Sequence, residues 1–552
     1  MRAELALYGL LLSLLVPFAG RAFHIDDRIY LEIADNILRQ PLFPYDYSPV
    51  FEGLVTPDAA SHSHLPLTSY YLALLKLVRG NDSEIAMHLA FLVFPAIALW
   101  SFLDLCRFYV GRRAAATALL ITSPAFVVLG HSLMPDLPLL ALWLLALSRF
   151  FRITHGSSSR TDWLLLATGL LGAAFLSLLT AGLLLLMAAH LWLNRRPGEG
   201  GSHRLLSMTL ALPLLLWVAW YLLSWLHYDR FVLVNTFRHM AKREAFDWSL
   251  FGLKAVSFTA NIGAVFVCPL AFWVVFAGRW RTRLALLAGM LALVPFALWI
   301  EGWQWLHAIL LAVFLASGCL VLAEFCLLLR DGRPQVRVLL LWFFGILAAC
   351  LTLYYAGSVR YVLLALPPVV LAWMMRLEHR IRDLYLQRNV AWAAVVLTVL
   401  WTIPLALADY EFAGVYRNAA RELVRDYRKA GVTVWFTGEW GFRYYLEQEG
   451  ARLMRRDEVS ARPGDIILKP YIASPWVTVY DGPPGTVLLE QRVVESHHLL
   501  RLLDFSSHAG FYSTGWGLLP FSLSTGEPWE WFNVFRIERA WEGPPPSQGR
   551  HF

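Results

Sequence analysis

Two carboxylates, Asp26 and Asp27, stand side by side in "HIDDRIYLEIADNIL" (residues 24–38), directly after the first apolar stretch of the chain. Ionisable groups near hydrocarbon are costly, so acids placed where a chain leaves a membrane are candidates for chemistry. Two kinds are open to such a pair: taking a proton from an attacking group, or holding a divalent cation through oxygen. A structural reading competes with both. Tyr30, Ile33, Ala34, Ile37 and Leu38 recur at helical spacing, which predicts an amphipathic helix over 27–39 lying at the interface. An Asp at its start would then be an ordinary N-cap that complements the helix dipole.

The elements around the pair must decide. Of the 552 residues, 58% are hydrophobic and 16% charged, against about 25% charged in soluble domains. The composition is that of a polytopic α-helical membrane protein. About thirteen stretches reach the roughly 20 mostly apolar residues that a spanning helix needs, the first near 5–19 and the last near 390–407. The N-terminal 24 residues also carry a small-residue "AGRA" resembling a signal-peptide cleavage site, but read better as an uncleaved first span. Alternate connections hold Arg107, Arg112 and Arg113; Arg149, Arg152 and Arg160; Arg195, Arg196 and Arg204; Arg279, Arg281 and Arg283; Arg330, Arg333 and Arg337; and Arg376, Arg380, Arg382 and Arg388. By the positive-inside rule these face the cytoplasm. They also account for the net charge of +7 without nucleic acid. An odd number of spans then gathers the long first loop (20–84), the turn before Asp136, the loop 227–255 and the C-terminal region on the opposite, periplasmic or extracellular side of an inner (plasma) membrane. No repeated halves of a transporter are evident.

The apolar tract ends at Ala408, so the chain divides into a membrane domain, 1–408, and a water-soluble domain, 409–552. In the latter, "AGVYRNAARELVRDYRKAG" and "EWGFRYYLEQEG" predict helices, while "VTVWFTG", "GDIILKP" and "WVTVYDG" predict strands of a small α/β layer, with parallel pairing plausible. No glycine-rich phosphate loop follows any strand, which argues against nucleotide binding. Cys106, Cys268, Cys319, Cys326 and Cys350 lie in or beside apolar segments with no CxxC, which argues against a zinc cluster of cysteines and a disulfide framework.

Asp26-Asp27 with Tyr30 after the first span, a proline-marked helix at Pro66, "SLMPDLPLLALWLLAL" around Asp136, and "GSVRYVLLALPPVVLA" around Arg360 and Tyr361 together resemble the GT-C glycosyltransferases. The pattern is similar to the dolichyl-phosphate-mannose protein mannosyltransferases and the bacterial lipid A aminoarabinose transferases. The resemblance covers residues 1–407 and is most specific in the first 150. It implies an inverting glycosyltransferase that moves a sugar from a polyprenyl-phosphate donor to an acceptor protein, lipid A or glycan on the outer face. Such a donor already carries a good leaving group. The reaction therefore needs one carboxylate as base and hydrogen-bonding or positive groups for the departing phosphate. By alignment with the family's acids, Asp26 is the expected base, Asp27 its supporting neighbour, and Asp136 the second acidic site. This chain departs from the family in two places. Arg28 stands one position from the usual arginine, and "SHSHLP" supplies His62 and His64 where lysine is common. The expected substrate-binding residues are thus Arg28, Tyr30, His62, His64, Arg360 and Tyr361. Histidine is only partly charged at neutral pH and binds anions more weakly than lysine.

No cofactor is expected. A divalent metal on Asp26, Asp27 and Asp136 is chemically possible, but carboxylates alone suffice for base catalysis and the closer branches of the family work without one. The alternative reading is a polytopic transporter or lipid flippase. It would need ionisable groups in the middles of several spans, which here are mostly Leu, Ala, Val and Phe.

Overall fold

The computed structural model describes residues 2–51, 53–55, 65–80, 82–156, 159–193, 200–229, 231–234, 236–237, 247–267, 280–302, 304–354, 357–429, 431–455, 460–473 and 485–539. Among them, seven helices are long and apolar enough to cross a membrane, or eight if one bent pair is a single span. The polytopic helical class is therefore borne out, while the count of about thirteen is not reached by this criterion. Two of the differences have a clear local cause. The stretch expected at 114–131 is broken into Arg113–Ile121 and Pro124–Gly130, bent by 56°. Ser123 caps the second piece by accepting from Phe126 N, and Pro124 opens it, so the first helix cannot continue through. The stretch 163–193 divides into Arg160–Ala174 and Thr180–Leu193, each short for a span.

The helix expected at 27–39 forms over Asp27–Arg39, and the proline-marked helix follows Pro66 over Leu67–Arg79. They pack on each other through Lys76, whose ammonium reaches Asp35 at 2.6 Å and Asp82 at 3.1 Å. The arginines in the last turns of Asp136–Thr154 have acidic partners of their own. Arg149 pairs with Asp162 at 3.1 Å and also with Asp104, and Arg152 reaches Asp162 at 3.0 Å. Arg149 stands about 20 Å along its helix from Asp136, at 1.5 Å per residue.

The helix expected at 390–407 runs unbroken over Leu384–Lys429, so the boundary drawn at 408 falls inside it. Beyond it lies a five-stranded sheet, in spatial order Arg452–Leu453, Val434–Phe436, Ile466–Pro470, Glu530–Ile537 and Thr486–Val494. The first three strands are parallel and Glu530–Ile537 is antiparallel to both its neighbours. Trp440–Gln448 is the crossover helix expected from "EWGFRYYLEQEG". The strand expected at "WVTVYDG" lies outside the described residues. The four described cysteines are unpaired.

Candidate active site

The site starts with a strained turn. Ile25 has φ of 49°, a left-handed backbone that a β-branched residue adopts only under constraint and that costs on the order of 1–3 kcal/mol. Asp27 supplies that constraint. Its Oδ2 accepts from His24 N at 2.9 Å and from Arg21 Nη1 at 3.3 Å, and its Oδ1 accepts from Leu133 N at 2.8 Å. The side chain is wholly buried. Burial pushes its carboxyl up to about 6, against the opposing pull of the Arg21 charge and the two backbone donors. Asp27 thereby ties the start of the first interfacial helix to the turn that leads into Asp136.

Asp26 occupies the N-cap position of Asp27–Arg39, yet its side chain makes no cap hydrogen bond. It points elsewhere. Asp26 Oδ2 accepts from Arg360 Nη1 at 2.9 Å, and Arg360 Nε donates to Asp136 Oδ2 at 3.1 Å. One guanidinium thus bridges acids 110 positions apart in sequence, from two helix N-termini. Asp136, too, is free of capping duty, because Pro135 holds the cap position. Side-chain exposure ranks Asp26 first at 29%, then Asp136 at 16% and Arg360 at 10%, so Asp26 is the more accessible of the two acids. Tyr30 is buried beside this group. Burial first, then the Asp26 charge, push its hydroxyl well above the usual tyrosine range. Tyr361 stacks on Tyr354 with ring centroids 3.7 Å apart.

Of the residues expected from the sequence, Asp26, Asp136 and Arg360 are in direct contact, with Tyr30 beside them and Asp27 behind. Arg28 pairs with Glu32 one helical turn on, at 3.0 Å. His62 and His64 lie outside the described residues.

Sequence reasoning missed three residues that hold the group in place. Arg21, fully buried, donates to Asp409 at 2.6 Å, to Asp27, and to Tyr512 Oη at 3.2 Å; the Tyr512 hydroxyl in turn donates to Asp409 at 2.7 Å. Each reads in sequence as an ordinary flanking residue. Lys254, also unmarked in the sequence, is buried at the start of the helix Phe251–Val265 and lines a small hollow with Asn261, Gly357, Ser358 and Tyr361. The C-terminal region shapes the site directly. Val359 N donates to Phe511 O at 3.0 Å, Ser358 Oγ to Phe511 O at 3.1 Å, and Thr514 N to Gly357 O at 2.9 Å. The backbone that presents Arg360 is thus sewn to the segment 511–514.

The fold and site define a multi-pass membrane protein with an acid–arginine cluster at its helix ends, packed against a C-terminal sheet domain. Residues 61–221 match the family described as dolichyl-phosphate-mannose-protein mannosyltransferase. Over that segment the match agrees with the resemblance to the GT-C glycosyltransferases drawn from the sequence. The matched segment contains Asp136 but neither Asp26 nor Arg360. Among solved structures, the chain is similar to ArnT from Cupriavidus metallidurans bound to undecaprenyl phosphate, at 12% identity and a TM-score of 0.44, covering 85% of this chain and 96% of that one. It is also similar to the Archaeoglobus fulgidus oligosaccharyltransferase AglB in complex with an inhibitory peptide and a dolichol-phosphate, at 12% identity, a TM-score of 0.46, and 82% and 64% coverage. A third is the arabinofuranosyltransferase AftD from Mycobacteria, at 13% identity, a TM-score of 0.38, and 98% and 40% coverage. No curated protein matches the sequence.

Proposed function

We propose that this protein transfers a sugar, with inversion, from a polyprenyl-phosphate donor to a hydroxyl or amine of a protein, lipid A or glycan acceptor on the non-cytoplasmic face of the membrane. The observation that carries the reading is the Arg360 bridge between Asp26 and Asp136. Asp26 takes the acceptor's proton as the acceptor oxygen or nitrogen bonds to the anomeric carbon. The bond from that carbon to the phosphate oxygen breaks, and its electron pair leaves with the polyprenyl phosphate. Arg360, always charged and able to present two donors at once, receives the growing negative charge. Lys254 is a second cation, lining a hollow with Ser358 and Tyr361, which flank Arg360 in the chain. Asp136 holds Arg360 in aim, and Asp27 holds the turn that carries Asp26. A guanidinium already stands between the two acids where a shared divalent cation would sit, which favours catalysis without a metal at Asp26 and Asp136. The gathering of acids at helix ends rather than mid-span speaks against a transporter or flippase.

The test is Asp26→Asn in proteoliposomes supplied with polyprenyl-phosphate-linked sugar. The expected outcome is a loss of transfer of roughly 10²–10⁴-fold, with an unchanged melting profile and retained binding of polyprenyl phosphate. Undiminished transfer by this variant would overturn the assignment.

A further inference from the structure

A second cluster of metal-ligating side chains lies apart from the acid–arginine site and shares no residue with it. Glu301 follows the helix Trp280–Ile300, His307 sits in the opening turn of Trp305–Leu328, and His508 belongs to the C-terminal domain. One ligand atom from each lies within 4.8 Å of the other two. Glu301 and His307 are each only 1% exposed. Glu301 Oε2 meets His508 Nδ1 at 2.5 Å. His307 has a buried Nδ1 with no hydrogen-bond partner, and its Nε2 only a long 3.4 Å approach to Leu523 O.

Three features make this more than a histidine–glutamate ion pair. A buried imidazole nitrogen without a partner is costly, and coordination would satisfy it. His508 is held at φ of 53°, a strained backbone for a residue with a side chain, in a hairpin whose close fit requires Gly517: a Cβ there would lie 2.0 Å from His508 O. Finally, two imidazoles and one carboxylate form a three-ligand set that suits zinc, leaving a fourth position for water.

We propose that Glu301, His307 and His508 bind one Zn²⁺ ion that clamps the soluble domain onto the ends of two membrane helices. Seating the ion needs ligand atoms spread to about 3.4 Å, the tetrahedral spacing for bonds of about 2.1 Å, so His508 and Glu301 part by about 1 Å. The consequence reaches the active site through the chain itself. The metal anchors residue 508, and three positions later begins the segment 511–514 that holds the backbone before Arg360.

The test uses the full-length protein in detergent, first stripped with EDTA and then titrated with Zn²⁺ and, separately, with Co²⁺. Elemental analysis should give about one zinc per chain, and cobalt should give the visible absorption of a tetrahedral site. Both should fall to background in His307→Ala and His508→Ala, and the melting temperature gained on adding zinc to wild type should vanish with them. A wild-type protein that takes up no zinc and shows no cobalt bands would overturn the proposal without recourse to any variant. So would zinc that stays stoichiometric in both variants.

Discussion

Asp26 and Asp27 are chemically identical neighbours with opposite fates. Asp27 is sealed among three donors, while Asp26 keeps 29% of its side chain open and shares one guanidinium with Asp136. The strained residue Ile25 precedes both and sets the turn from which their side chains diverge. Lysine in place of Arg360 keeps the charge but presents a single ammonium on a flexible stem, so it cannot reproduce the Nε and Nη1 contacts together. Losing one charge-assisted hydrogen bond is worth about 1.5–3 kcal/mol. Arg360→Lys should therefore weaken transfer on the order of 10- to 100-fold, with the loss seen in kcat/KM for the donor and the fold unchanged by circular dichroism. Steady-state kinetics at varied donor concentration would check it.

At the scale of elements, the strand Glu530–Ile537 carries a buried acid with its own titration. Glu530 accepts from the backbone N–H groups of Tyr471, Ile472, Ala473 and Trp531 and from the Tyr416 hydroxyl. Burial outweighs those donors and pushes its carboxyl up to about 7, from the ordinary 4.5. A folded state that holds a proton which the unfolded chain has lost is favoured at low pH. The contribution of this site is therefore fully present below about 4.5, declines as pH rises, and is gone above about 7. At 1.36 kcal/mol per unit, the change is on the order of 3 kcal/mol. Thermal unfolding of wild type between pH 4.5 and 8 should show this decline, and Glu530→Gln, which cannot titrate, should flatten it. Equal slopes in the two proteins would remove Glu530 as its source.

At the scale of the whole molecule, the C-terminal sheet domain is keyed into the segment that leads to Asp26. The helix Trp440–Gln448 lies against the segment leading to Asp26: a Cβ on Gly441 would lie 2.2 Å from Phe23 O, and Phe23 N donates to Tyr445 Oη at 2.8 Å. The long helix Leu384–Lys429 adds Arg417, whose Nη1 donates to Gly20 O at 3.2 Å. Gly441→Ala should therefore push the domain off residues 20–26 at a cost of about 1–3 kcal/mol. The expected result is a lower melting temperature and reduced transfer together, with faster proteolysis between the domains. A variant that melts and reacts like wild type would mean that the domain is not keyed at this point.

Much of this was legible in the chain itself. Apolar length and helical periodicity determined the membrane class and the two interfacial helices, because those signals are local and repeat every few residues. Position after the first span singled out Asp26, and the resemblance to the GT-C family added Asp136 and Arg360 as separate candidates. Only the tertiary structure could put them on one guanidinium, since contacts between residues 26, 136 and 360 depend on how helices pack and leave no periodic trace. The same holds for Arg21 and Asp409, which are 388 positions apart and joined at 2.6 Å, and for Glu301, His307 and His508. A buried charge or ligand finds its partners by the three-dimensional exclusion of water, and one-dimensional spacing does not encode that exclusion.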